Sequence, residues 1–274
     1  MSRHGSKLGP YTLHEPINAG GMSEIWLATD DAGRQFAMRL MLNNSTFAFT
    51  ERKRFITGCE VLQGVQDNEF IIGYVEHGKL GGELCLVMEY VEGENLKLLM
   101  GKQDPVLGDN IAQILLDMAT ALERVHDRGY MHLDFKPENI LLTRNGSLRL
   151  IDFDLAQPIP DSPRKLNRNP GTPAYMAPEQ LLREPVDHRA DIWAFGVSAY
   201  ELLTSRKPFP SDSPDEILRH QLDRSEFLPA HQINPDIPVS LDRIINRCLE
   251  RDPLRRHPIT SVLVHDLKTA LYVD

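Results

Sequence analysis

The stretch His132-Leu133-Asp134-Phe135-Lys136-Pro137-Glu138-Asn139, running into the apolar Ile140-Leu141-Leu142, decides how the rest of the chain is read. An aspartate is followed two residues later by a lysine and five residues later by an asparagine. Thirteen residues beyond Asn139 comes Ile151-Asp152-Phe153. An isolated His-x-Asp reads as a surface turn. Here the turn carries a carboxylate that can accept a proton (Asp134), a cation (Lys136) and two hard oxygen donors (Asn139 and Asp152).

Composition narrows the classes of partner. The chain has 274 residues, 41% hydrophobic and 25% charged, ordinary for a globular chain able to bury a core. A net charge of −9 argues against nucleic acid or an anionic membrane surface as the main partner. Cys59, Cys85 and Cys248 lie far apart with no Cys-x-x-Cys pair, so they read as small buried hydrophobes kept reduced in a cytoplasmic compartment. No signal peptide and no apolar run of about 18 residues is present, so no membrane segment is expected in this chain.

The 132–139 stretch and the turn at Asp152 resemble the catalytic loop and Asp-Phe-Gly turn of the protein kinases. Its Lys136-Pro137-Glu138-Asn139 form, with Gly171-Thr172-Pro173-Ala174-Tyr175-Met176-Ala177-Pro178-Glu179, is closer to Ser/Thr kinases than to tyrosine kinases. The resemblance, to a bacterial (Hanks-type) Ser/Thr protein kinase domain, covers roughly residues 10–270 in the family's order. It implies an α+β, bilobal fold: a small antiparallel β lobe with one helix (10–90), a hinge (88–94) and a larger, mainly helical lobe (95–270). Residues 1–9 are expected to be disordered. The implied cofactors are ATP and Mg2+, and the implied partner is a protein substrate or a regulatory protein. By the same resemblance Asp134 orients the substrate hydroxyl, Lys136 stabilises the transferring group, Thr172 hydrogen-bonds both, and Asn139 and Asp152 hold metal.

In the first lobe, Tyr11–Leu13, Glu24–Ala28 and Gln35–Leu40 read as strands separated by glycine-containing turns. Ile17–Ile25 resembles the phosphate-covering glycine-rich loop, with Gly20 on the motif, Gly21 beside it, and Asn18 and Ser23 at the first and third glycine positions. The implied nucleotide contacts are Ile17, Asn18, Gly20, Gly21, Ser23 and Ile25 over the phosphates. Ala37 and Leu141 would sandwich the adenine beside the gatekeeper Met88, with the backbone of Glu89 and Val91 reading the base.

Four positions depart from the family. Arg39 stands in Phe36-Ala37-Met38-Arg39, where a Lys would bind the α- and β-phosphates. Its planar fork keeps the charge but places donors differently. Gly58 falls where the helix over 51–66 would supply that cation's acidic partner, with Glu60 two residues away. Leu133 replaces the Arg that pairs with an activation-segment phosphate, and the segment 164–170 contains no Ser or Thr. Both halves of that switch are missing, so control independent of activation-loop phosphorylation is expected. Finally, Asp154 replaces the glycine of Asp-Phe-Gly and adds a carboxylate near the metals.

Two readings follow. One is an atypical, slow Ser/Thr kinase with Arg39 standing in for the phosphate-binding Lys. The other is a pseudokinase, a nucleotide-binding or scaffolding module. Asp134, Lys136, Asn139 and Asp152 perform the chemistry directly and weigh toward the first.

The second lobe reads as a helix from Asp109 (its expected N-cap) to Gly129, a bracing Asp191 in Asp191-Ile192-Trp193, and an Arg256–Glu179 pair. Residues 205–240 read as loops with a short helix near 214–221, and 259–271 as a final amphipathic helix.

Overall fold

Period-two burial builds the first lobe in the computed structural model, which describes residues 3–20, 23–42, 48–166 and 171–272. Strands β1 (Lys7–Leu8), β2 (Tyr11–Ala19), β3 (Ser23–Thr29) and β4 (Gln35–Met41) follow one another antiparallel. Helix α1 (Ala48–Val65) then precedes β5 (Tyr74–Leu80) and β6 (Glu83–Glu89), giving a six-stranded sheet of order β1-β2-β3-β4-β6-β5. Met38, Leu40, Cys85 and Val87 enter a small core with Leu13 and Trp26. Their neighbours Ala37, Met41, Leu86 and Met88 enter the core shared with α1 through Phe55, Cys59 and Leu62. Arg39, between Met38 and Leu40, is thereby turned toward α1 and the cleft.

The expected disorder of residues 1–9 does not extend to 3–9. Leu8 is buried and pairs with Tyr11, and Arg3 pairs with Glu24 at 3.4 Å and with Glu83. Apolar burial at Leu8 and two carboxylates at Arg3 offset the cost of ordering the segment.

Strand β7 (Gly93–Asn95) leaves the hinge and leads into α2 (Leu96–Lys102) and α3 (Pro105–Asp127). The site is then built on β8 (Tyr130–Met131), β9 (Ile140–Thr143), β10 (Leu148–Leu150) and β11 (Gln157–Pro158), with β10-β9-β7 in one sheet and β8 paired to β11. Ile114, Leu115, Met118, Leu122 and Val125 of α3 are fully buried. The N-cap of α3 is Asp104, not Asp109. Its Oδ1 accepts from Val106 N at 3.0 Å, and Pro105, whose missing N–H costs nothing at a helix start, opens the first turn.

Behind lie α4 (Pro178–Leu181), α5 (Arg189–Thr204), α6 (Pro214–Asp223), α7 (Ala230–Ile233), α8 (Val239–Cys248) and α9 (Thr260–Tyr272). Helix α6 covers the short helix expected near 214–221, and α7 adds a turn read as loop. Arg256 and Glu179 meet through two buried hydrogen bonds of 2.7 and 2.8 Å, and Arg256 lies 5.0 Å over the Trp193 ring. This pair ties the 178–182 segment to the base of α9. Among the described residues no helix is long and apolar enough to cross a membrane.

Candidate active site

The loop between β8 and β9 is held from below by Asp191, in the first turn of α5. Its Oδ2 accepts from His132 N and its Oδ1 from Leu133 N, both at 2.8 Å, and His126 Nε2 lies 2.8 Å from Oδ2. Burial would raise the Asp191 carboxyl, but His126 and the loop N–H groups hold it below its ordinary value. The same bonds support Leu133 in the left-handed region at φ 61°, an unusual place for a branched residue. Leu133 is buried and lines a small cavity together with Thr172, so an apolar side chain stands at the sequence position of the family's phosphate-binding Arg.

On this frame the polar side chains converge. Lys136 Nζ donates to Asp134 Oδ2 and to Thr172 Oγ1, each at 2.8 Å, and Thr172 Oγ1 lies 3.5 Å from Asp134 Oδ1. Asn139 Nδ2 donates to the Asp134 carbonyl at 2.8 Å and to its Oδ2 at 3.0 Å. With the amide nitrogen so used, the amide oxygen is the atom that can meet a cation. Ile151 N donates to Asn139 O at 2.9 Å and fastens the next turn to the loop. In that turn Asp152 adopts φ 63°, and Phe153 packs edge-on to His132. Burial lowers the His132 imidazole below its ordinary value and keeps it neutral.

Arg39 reaches this turn from above. Its Nε donates to Ser23 Oγ at 3.0 Å, its Nη1 to Asp154 Oδ1 at 3.0 Å and its Nη2 to Asp154 Oδ2 at 2.7 Å. A longer contact of 3.3 Å joins Nη1 to Asp152 Oδ1. Burial opposes the charge, but the two carboxylates outweigh it and hold the guanidinium pKa above its ordinary value. Gly58 is the α1 residue against the turn. A Cβ there would sit 2.8 Å from Asp154 Oδ1 and 2.9 Å from its N and Cα. Glu60, two residues further along α1, is exposed.

Between the lobes lies a cleft of about 390 Å3. Asn18, Gly20, Ser23, Ile25, Arg39 and Met88 line it from the first lobe, and Lys136, Asn139 and Asp152 from the second. Ala37 pairs with Met88 across β4 and β6, and Leu141 pairs with Asn95 across β9 and β7. Glu89 donates its N–H to Gly73 O at 2.8 Å, and its carboxylate accepts from Arg149, just before the half-buried Val91. Ile17, 49% exposed on β2, stands outside the lining, as do Ala37, Glu89, Val91 and Leu141. Gly21 lies outside the described residues. Glu138 also lines the cleft, and its Oε2 is buried without a partner. Sequence reasoning gave Glu138 no role. The joint signal of Gly58 and Asp154, one acid lost and one gained, was visible but could not be connected.

The cleft suits Mg2+ and a nucleotide. Asp152 and Asn139 offer hard oxygen ligands, the volume falls in the range of small-ligand sites, and the orphaned Glu138 oxygen leaves an acceptor for a bound hydroxyl.

The cleft thus lies between a β lobe and a helical lobe and is floored by the Asp134–Lys136–Asn139 loop. The protein kinase domain family matches residues 11–267, and the chain belongs to that family. A probable serine/threonine-protein kinase of Clostridium acetobutylicum is 30% identical over 264 residues, 94% of this chain and 39% of the relative. A probable serine/threonine-protein kinase, PknB, of Corynebacterium glutamicum is 29% identical over 268 residues, 94% of this chain and 41% of its own. The serine/threonine-protein kinase PknH of Mycobacterium tuberculosis is 30% identical over 259 residues, 93% and 41%. The chain therefore spans about two fifths of the length of these relatives.

Proposed function

We propose that this chain is a Ser/Thr protein kinase domain that transfers the γ-phosphoryl of MgATP to protein hydroxyls. The observation that carries the reading is the single network joining Asp134, Lys136, Thr172 and Asn139 at 2.8–3.5 Å. Such convergence serves in-line transfer, where positioning and electrostatics supply most of the rate.

Asp134 accepts the proton of an incoming hydroxyl. Lys136, already paired to Asp134, places its charge beside that hydroxyl, and Thr172 keeps the two aligned. Asn139 and Asp152 would hold Mg2+, which when bound with ATP neutralises charge developing on the phosphoryl oxygens. Asn18, Gly20, Gly21, Ser23 and Ile25 would cover the phosphates, with Ile17 at the outer edge. Ala37, Met88 and Leu141 would enclose the base, and Glu89 and Val91 would bind its edge. Arg39 acts as the phosphate-facing cation. Leu133 in place of an Arg supports activity that needs no phosphate on the activation segment. Three buried free thiols support a reducing, cytoplasmic setting.

One observation favours the pseudokinase alternative. Arg39 stands 3.3 Å from Asp152, where it shares the carboxylate a metal would use. The experiment that separates the readings is transfer from γ-labelled MgATP to a basic acceptor protein, run beside Asp134→Asn. Label that appears with the native protein and not with the variant supports the kinase. Equal silence from both, with MgATP still bound, supports the pseudokinase.

A further inference from the structure

A cation as enclosed as Arg39, whose side chain is 12% exposed, requires a carboxylate that stays with it. Two are at hand, and they are not equivalent. Asp152 makes one contact of 3.3 Å, and its oxygens are the ligands a metal would claim. Asp154 makes two, 3.0 and 2.7 Å, in the parallel fork that guanidinium and carboxylate prefer. On the facing side α1 contributes Gly58, and any side chain there would collide with the Asp154 backbone and carboxylate.

We propose that Asp154 is the positioning residue for Arg39, so that the charge of the phosphate-facing cation is anchored to the metal-binding turn, with α1 adding the Phe55 ring 5.4 Å from the guanidinium carbon. The inference rests on the nucleotide-binding part of the reading above and not on transfer itself. Its consequence is mechanical. Asp154 N donates to Asp152 Oδ1 at 3.4 Å, so the metal ligand and the anchor of the cation sit on one turn and move together. Displacing α1 withdraws the Phe55 ring but leaves the carboxylate fork in place, whereas displacing the turn releases cation and metal ligand at once. The site then assembles as one unit, controlled from the second lobe.

A binding cycle tests this without reference to turnover. MgATP and, separately, metal-free adenosine are titrated by calorimetry into the native protein, Asp154→Asn, Arg39→Met and the double variant. Loss of a charge-assisted fork predicts MgATP affinity about tenfold weaker in Asp154→Asn, with adenosine unchanged. In the Arg39→Met background the same change is expected to alter MgATP affinity less than about twofold, because the partner is already gone. An equal loss in both backgrounds, an equal loss for adenosine, or undiminished MgATP binding in Asp154→Asn each overturns the proposal. If Asp154→Asn does not fold, Asp154→Gly removes the carboxylate without burying an amide and is held to the same outcomes. Transfer is scored separately. A coupled cycle without transfer keeps the proposal and removes the kinase reading, and transfer with an uncoupled cycle does the reverse.

Discussion

Arg39 and Asp154 meet through two hydrogen bonds of 3.0 and 2.7 Å, in space that α1 leaves open because residue 58 is glycine. Three departures from the family thus belong to one local solution. An arginine needs a carboxylate, the turn supplies one in place of a glycine, and the helix drops its side chain so the turn can approach.

Gly58→Ala tests the closeness of that approach. Alanine is favoured over glycine inside a helix by about 1 kcal/mol. Here its Cβ would lie 2.8–2.9 Å from Asp154 atoms, three of them and two in the backbone, and overpacking of this kind costs about 1–3 kcal/mol. A melting temperature lowered by a few degrees is expected in a thermal melt, despite the better helix former. An unchanged or raised value would mean the turn has room to retreat.

The Arg256–Glu179 pair is enclosed at both ends, with side chains 0% and 6% exposed. Removing one partner strands the other charge in the core, so Arg256→Met or Glu179→Gln should cost about 3–5 kcal/mol in denaturant unfolding. The double variant should cost less than the two singles added.

Acid sensitivity has a defined contributor away from the cleft. His257 is buried beside Cys248 Sγ at 3.5 Å and 3.3 Å from Asp266. Burial first, then the Arg247 charge, lowers its pKa to about 4 against an opposing pull from Asp266. The unfolded imidazole binds a proton near pH 6.5, so the folded state alone stays neutral between the two values. Its contribution is whole above pH 6.5 and is lost as the pH falls toward about 4. Stability measured between pH 7 and 4 should therefore fall less steeply in His257→Gln than in the native protein.

Control of activity should not pass through an activation-segment phosphate. Leu133 is buried where a phosphate-binding Arg would project. Phosphatase treatment, or Ser162→Ala at an exposed hydroxyl of the activation segment (152–179), is expected to leave the transfer rate within about twofold of the untreated protein. A loss of tenfold or more would show a phosphate-dependent switch.

The loop of the candidate site was legible in sequence because its parts are local. Asp134, Lys136 and Asn139 lie within one turn and its continuation, and their spacing alone brings them together. Arg39 was readable as phosphate-facing through its place in Phe36-Ala37-Met38-Arg39, which resembles the family's Lys-bearing strand. Its partner was not, because the Arg39–Asp154 contact spans 115 residues and depends on how closely α1 settles on the turn. Counting along α1 identified the missing acid at Gly58 but could not locate its replacement. The start of α3 was misplaced for a smaller reason: the apolar periodicity is clear only from Ile111, just after Asp109, whereas the cap is Asp104, more than a turn earlier. The order at residues 3–9 depends on Glu24 and Glu83, which no local pattern announces.

Phosphoryl transfer in this cleft, with Arg39 as its cation, can be followed within a single enzyme cycle. A single-turnover experiment tests it most directly, with enzyme in excess over γ-labelled MgATP and an acceptor protein, quenched over time. Phosphoserine or phosphothreonine should accumulate with the native protein and fall at least about 100-fold in Asp134→Asn, with MgATP affinity retained. Native protein that binds MgATP and yields no phosphorylated hydroxyl over hours would show that the cleft does not transfer the phosphoryl group.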